Sequence, residues 1–278
     1  MPPADKRKIT VLMKLIKIQP MPIISIVLVS LLPLTTNALT LAEKDLQVAQ
    51  EVDQRDSGFV DLATKVTMVL KDKSGRENKR ELRIKTLEME SDGDKTLTIF
   101  DSPKDQKGVA LLSHSHKVKD DDQWLYLPSI CRVKRIVAQN RSGPFVGSEF
   151  AYEDINTPEI ERFTYKYLGE EPCGEVTCIK YERFPIDRFS GYSKNVIWVQ
   201  KNEMRYAKID YYDRKESLLK SLNFFNYKRY LDRFWRPDYI EMVNHQTGNS
   251  TRLLFRDREF GVGLNESDFS ENQLKRVK

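Results

Sequence analysis

The 278-residue chain is 40% hydrophobic and 31% charged, which gives enough apolar material for one large all-β domain or two ordinary ones behind a well-solvated surface. Its net charge of +5 comes mostly from the start: five of the 46 Lys and Arg and one of the 41 Asp and Glu fall in residues 1–38, which leaves 41 against 40 and a net charge of +1. That near-neutral remainder excludes a general electrostatic attraction to nucleic acid.

Residues 1–38 have the layout of a secretory leader. Lys6, Arg7, Lys8, Lys14 and Lys17 precede an apolar centre from about Ile23 to Leu34, and Thr36 and Ala38 are small residues placed for cleavage before Leu39. The apolar stretch is short for a stable span, which favours a cleaved signal peptide over an uncleaved anchor. Residues 39–278 then read as a single exported domain.

The first element of that domain is an amphipathic helix, with Leu41, Leu46, Ala49 and Val52 on its apolar side and Gly58 as its stop. Period-two patterning follows. "ATKVTMVLKDKSGRENKRELRIKTLEME" predicts two strands around the turn "DKSGRE", with Val66, Met68 and Leu70 facing inward opposite Leu82 and Ile84. Further strands are expected near 95–101, 107–113, 122–128 and 131–138, then near 161–168, 176–184, 193–201, 204–212, 216–225, 238–246 and 250–257. Such a series behind one clear helix describes a mainly β chain with few helices (α+β), built on a large curved antiparallel sheet. That sheet must close or have its concave face covered.

Several stretches carry candidate chemistry. In "SHSHK", His114 and His116 share a strand face at metal-ligand spacing, with Asp120, Asp121 and Asp122 close behind. A charged strand end outweighs a metal site there. "DDQWLYLPSICRVKRI" (121–136) reads as strand, turn and strand, and Trp124 to Leu127 are so apolar that a core, a ligand or a membrane must cover them. Cys131 reads as a buried, unreactive thiol. Arg132, Lys134 and Arg135 could meet an anionic head group, and alternation favours water. Residues 140–161 interrupt the strand rhythm as a long crossing loop with a short helix, and loops of that length are usually functional. Within it, Glu149, Glu153 and Asp154 could form an acid–base pair, but capping and solvated roles are favoured. No phosphate loop, nucleophile elbow or His–Glu metalloprotease motif is present, so no enzyme and no cofactor is indicated. Cys173 and Cys178 flank Gly174, and in an oxidising compartment that spacing suits a disulfide closing a hairpin end rather than a metal site.

Aromatic residues are frequent along the strands, from Trp124, Tyr126, Phe150 and Tyr152 to Phe224 and Trp235. Most must fill the core. One covering helix cannot fill the concave side of so large a sheet, and the excess predicts an apolar cavity for a hydrophobic ligand.

The order of signal peptide, helix, "DQWLYLP", "VKRI", "GSEFAYED", "WRPDYIEMVNHQTGNSTRLLF" and "LNESDFSENQL" resembles the outer-membrane lipoprotein-sorting family. That family includes the periplasmic carrier LolA and the receptor LolB, and the likeness is greatest to the LolA-like branch found beside exporters of the resistance–nodulation–division (RND) type. The resemblance implies an unclosed β-barrel with a helical lid and a cavity wall near Trp124, Tyr126, Phe150 and Tyr152. It also implies a periplasmic, non-catalytic carrier of a lipid or lipoprotein acyl chain, working with a membrane partner such as an RND-type exporter in a Gram-negative bacterium. The alternatives are a non-catalytic envelope sensor that binds a protein partner and, further off, an envelope hydrolase.

Overall fold

The computed structural model describes residues 41–277; the predicted leader, residues 1–38, lies outside them. Thirteen strands form one antiparallel sheet: β1 (Asp61–Lys71), β2 (Glu77–Leu87), β3 (Lys95–Ser102), β4 (Ala110–His114), β5 (Asp122–Leu127), β6 (Arg132–Ile136), β7 (Phe163–Cys173), β8 (Val176–Pro185), β9 (Tyr192–Gln200), β10 (Arg205–Asp213), β11 (Leu218–Tyr230), β12 (Phe234–Asn244) and β13 (Ser250–Phe260). In space they run β6-β5-β4-β3-β2-β1-β13-β12-β11-β10-β9-β8-β7. Every neighbour is also a sequence neighbour except β1 and β13, which pair from Leu62↔Phe260 to Lys71↔Ser250. The sheet is thus an unclosed barrel whose edges are β6 and β7, as the resemblance implied.

Alternation assigns each strand residue to one of two faces. Val66, Met68, Leu82, Phe100, Leu111 and Leu125 from the first half meet Ile179, Tyr181, Ile197, Ile209, Leu222 and Met242 from the second in one inner cluster. A smaller cluster lies on the opposite face of β3–β5, where Leu97, Ile99, Ala110 and Leu112 are covered by Phe269 and Leu274 of the C-terminal segment. That segment ends in α2 (Glu271–Leu274). It is tied back by Asp61, 2% exposed, whose carboxylate accepts from the backbone N–H groups of Val262, Gly263 and Leu264 at 2.6–3.1 Å. Strand β4 starts later than expected, because residues 103–108 form a turn in which Gln106 N and Lys107 N both donate to Pro103 O.

The N-terminal helix, α1 (Leu41–Asp56), packs against β7 and β12. Among its described side chains Val48, Ala49 and Val52 are buried, the last two as expected, whereas Leu46 is 37% exposed and Val48 takes its place. Tyr167 N donates to Asp45 Oδ1 at 2.6 Å, and Arg233 Nη2 donates to Ser57 O at 2.7 Å just past the helix end. Gly58 follows at φ +94°, a conformation that few other residues adopt without strain.

Residues 137–162 link the two edge strands and cross the concave side to do so. They carry four 3₁₀ turns (138–140, 145–147, 152–154 and 160–162) in place of the single short helix expected. Phe145, 1% exposed, is their apolar anchor, with ring centroids 5.8 Å from Phe100 and 5.6 Å from Tyr152. Phe150, 2% exposed, enters the same inner cluster, with Val146, Tyr152 and Ile155 packed against it, and polar bonds add to this fastening. Arg80 donates to Val146 O, Gln123 to Tyr152 O, Thr251 Oγ1 accepts from Glu149 N, and Asn244 donates to Glu149 Oε2, all at 2.5–3.0 Å. At the centre, Lys220 Nζ meets Asp154 Oδ2 at 2.6 Å, with side-chain exposures of 5% and 3%. Asp154 also accepts from Tyr192 OH and caps its own turn through Ala151 N.

A buried ion pair loses most when one partner alone is removed. Lys220→Met leaves the Asp154 carboxylate buried and uncompensated, and is expected to lower unfolding free energy by about 3–5 kcal/mol in urea titrations. A change within about 0.5 kcal/mol, the usual range for surface substitutions, would show that the pair does not hold the crossing segment down.

Candidate functional site

Between the crossing segment and the inner face of β8–β12 lies a cavity of about 380 Å³. Its apolar floor is Ile209, Leu222, Phe224 and Ile240, with Tyr192, Tyr206 and Tyr211 beside them. Arg141, Arg162, Arg183, Asp187 and Glu159 supply much of its polar wall. A second hollow of about 580 Å³ opens between the end of α1 and strands β10–β12, and shares Tyr206 and Phe224 with the first. Those two rings stack, with centroids 5.6 Å apart at 28°. A third, about 160 Å³ and mostly apolar, sits over Met68, Leu82, Phe145, Phe150, Leu253 and Phe255, and shares Asp154, Ile155 and Ile240 with the first. The concave face therefore carries three adjoining chambers, the first and third under the crossing segment and the second beside α1. The first and second are in the size range of small-molecule sites; the first joins an apolar floor to a charged wall, and the second is lined largely by charged residues.

Comparison with known proteins places this architecture. A solved outer membrane lipoprotein-sorting protein domain from Vibrio parahaemolyticus is 50% identical, with a TM-score of 0.83, over 84% of this chain and all of that one. The chain belongs to the outer membrane lipoprotein-sorting protein family. A DUF1329 family protein from Desulfovibrio piger is 26% identical (TM-score 0.80, 85% of this chain and all of that one). A LolA superfamily protein from Nitrosomonas europaea, 19% identical (TM-score 0.68, 85% of this chain and all of that one), shares the fold, which is LolA-like. A family model described as "Uncharacterized protein"-like matches residues 92–276. Among curated proteins, none matches.

The four aromatics expected at the cavity wall divide between the two faces of the sheet. Phe150 lines the third chamber, and Tyr152 packs beside it through Phe145. Trp124 and Tyr126 point the other way, into the C-terminal cluster, and Trp124 lies 5.2 Å edge-on from His114. Period two decides this: Gln123 and Leu125, at 0% and 8% exposure, occupy the inward positions of β5. The residues that make the floor, Ile209, Leu222, Phe224 and Ile240, come from β10–β12. Their alternation was readable, but nothing local marks a floor residue as distinct from core.

The remaining candidates have structural partners. Cys173 and Cys178 are disulfide-bonded at the tip of the β7–β8 hairpin, with Cα atoms 5.7 Å apart. Cys131 is exposed, correcting the expectation of burial: it ends a 3₁₀ turn at φ 48° before β6 begins. His114 Nε2 bonds Phe269 O, whereas His116 lies between Asp92 and Asp122, and among the described residues no cluster suited to a metal ion is found. Glu153 accepts from Ser190 Oγ and Gly191 N at 2.7–2.9 Å, fixing the crossing segment to the β8–β9 loop. Arg132, Lys134 and Arg135 are exposed, and Arg135 bonds Asp122.

Carboxylates from three elements converge where α1, the β2–β3 turn and the crossing segment meet. Asp53, Glu88, Asp94, Glu159 and Glu161 surround a hollow of about 110 Å³ that also receives Lys117. Burial, and then the facing Asp94, push Glu159 up to about 7. Burial, and then Glu88 and Asp56, push Asp94 up to about 6. Burial and Asp56 raise Asp53 as well. Carboxyls whose folded values lie above their unfolded ones hold protons more tightly in the folded state, so the stability they give is full below about pH 4 and is lost as pH rises through about 6 to 7. Thermal melts at pH 5 and pH 7.5 should therefore show a smaller pH-dependent loss for Glu159→Gln than for the parent. Identical losses would remove Glu159 from the account.

Proposed function

We propose that this protein is a periplasmic carrier that takes a lipid or lipoprotein acyl chain into the chambers under the crossing segment and passes it to or from a membrane partner. The observation that carries this reading is the apolar floor of Ile209, Leu222, Phe224 and Ile240 beneath a roof fastened in part by polar bonds. The floor substitutes for membrane as solvent of the chain, worth about 0.8 kcal/mol for each CH₂ removed from water. The polar bonds of that roof can be exchanged with water as it lifts, so opening costs less than breaking a wholly apolar seal. Function on this reading is differential binding without bond chemistry: transfer needs only a partner that holds the chain somewhat better. The leader supplies export to the periplasm, and the resemblance supplies the class of partner, an inner-membrane RND-type exporter.

Protein purified from the periplasm without detergent should release a stoichiometric acyl lipid into organic solvent, identified by mass spectrometry. Ile240 borders both the first and third chambers, so Ile240→Trp should fill their junction and abolish that lipid with a melting temperature within a few degrees of the parent. A parent protein that stays empty after incubation with envelope lipids and acylated peptides, or an Ile240→Trp variant that keeps its lipid, would sink the carrier reading.

A further inference from the structure

Three cations among the described residues are more than nine-tenths buried: Arg141, Lys220 and Arg183. Removing a cation from water costs several kcal/mol unless a counter-charge and hydrogen bonds replace the solvent. Arg141 has Asp187 at 2.7 Å and Lys220 has Asp154 at 2.6 Å. Arg183, 8% exposed, has no such partner among the described residues. Its Nε donates to Asn195 Oδ1 at 2.9 Å, and its guanidinium carbon lies 4.5 Å from the centroid of the Phe163 ring. Neither contact brings negative charge.

Asn195 stands directly opposite Arg183 in the β8–β9 ladder and is 1% exposed, and its Nδ2 has no acceptor. Both residues line the 380 Å³ chamber, beside the apolar floor. An uncompensated guanidinium and an orphaned amide donor therefore border the same space. Of the carboxylates on that wall, Asp154 is engaged by Lys220, Asp187 by Arg141, Glu153 by Ser190 and Gly191, and Asp121 by Asn156 and the backbone N–H of His116, while Glu159 also borders the separate hollow that it shares with Asp94 and Lys117.

We propose that Arg183 and Asn195 form the recognition site for an anionic head group, a carboxylate or phosphate, on the amphiphile carried in this chamber. This rests on the carrier reading and narrows it. The planar fork of an arginine suits two-point contact with either oxyanion, and the amide of Asn195 adds a third donor. The chain of the same molecule then follows Ile209, Leu222, Phe224 and Ile240. Charge compensation comes from the cargo, so the empty chamber bears a cost that only an anionic ligand removes. A neutral amphiphile of equal length buries the same apolar area and leaves Arg183 unpaired.

The test uses palmitate and hexadecanol, equal in chain length and different in head-group charge, titrated calorimetrically at pH 8 against delipidated protein. The parent should bind palmitate at least about tenfold more tightly, as expected for a charge-assisted contact. Arg183→Met should abolish that preference while leaving hexadecanol affinity unchanged. It also takes the donor away from the buried Asn195 Oδ1, so a modest fall in melting temperature is expected, and the unchanged hexadecanol affinity shows that the chamber survives. Arg183→Lys, which keeps the charge and loses the fork, should retain part of the preference. Equal binding of the two probes by the parent, or a preference that survives in Arg183→Met, overturns the head-group site and leaves the carrier reading standing. Binding of neither probe overturns both. Inorganic phosphate alone serves as the third ligand: if it binds through Arg183 while the two amphiphiles bind equally, the site belongs to a free anion and the assignment to cargo falls.

Discussion

The order of the strands constrains everything else in this molecule. The first six run outward from β1 to one edge, the remaining seven run inward from the other edge, and the chain must travel from β6 to β7 without the two pairing. A short connection would have closed the barrel. A long one has to cross the opening, and residues 137–162 cross it on the concave side, where backbone groups find little water. Their hydrogen bonds therefore go to the sheet. Glu149, Tyr152 and Asp154 spend their backbone or carboxylate groups on Thr251, Gln123, Lys220 and Tyr192. The chambers are the space that this irregular segment cannot fill.

A roof made in this way differs physically from one made of packed helices. Apart from Phe145 and its neighbours, the crossing segment holds on through groups that water can also satisfy, so its local opening free energy lies below that of the sheet. The Lys220–Asp154 pair resists that tendency from the centre, where desolvation makes a lost partner expensive. The carboxylates around Glu159 act at the periphery and weaken the junction with α1 as they ionise. A cohesive centre and a pH-sensitive margin in one segment allow movement at the margin without loss of register at the centre.

How much of this was legible in the sequence follows from range. Strand positions, the α1 stop at Gly58 and the Cys173–Cys178 hairpin rest on local pattern and emerged close to where the pattern put them. Faces were harder. The family resemblance places Trp124 and Tyr126 at the cavity wall, whereas the distant C-terminal segment covers them on the other side. On α1, Ala49 and Val52 face the sheet as their spacing predicts, but Val48 rather than Leu46 joins them, since β7 and β12 decide which side of the helix is covered. Cys131 appeared to continue a strand, but a left-handed turn put it in solvent. Arg183 gave no signal at all within "YERFPIDRF", because its significance lies in what the fold fails to place beside it.

An open barrel also has to protect the edges it leaves unpaired, since exposed strand edges invite pairing with other chains. Strand β6 carries Arg132, Lys134 and Arg135, all exposed. Strand β7 has a register shift between Tyr167 and Gly169 and ends at Pro172 and Cys173, which interrupt a flat edge. Between the edges, Asp120 of the β4–β5 loop takes Arg162 at 2.9 Å and Arg141 at 3.4 Å, and Arg141 reaches Asp187 of the β8–β9 loop at 2.7 Å. This chain of ions joins the two halves of the sheet directly above the first chamber, whose wall includes Arg141, Arg162 and Asp187. Main-chain pairing across the same gap would have been stronger and permanent. Side-chain ion pairs hold the halves in register while remaining separable.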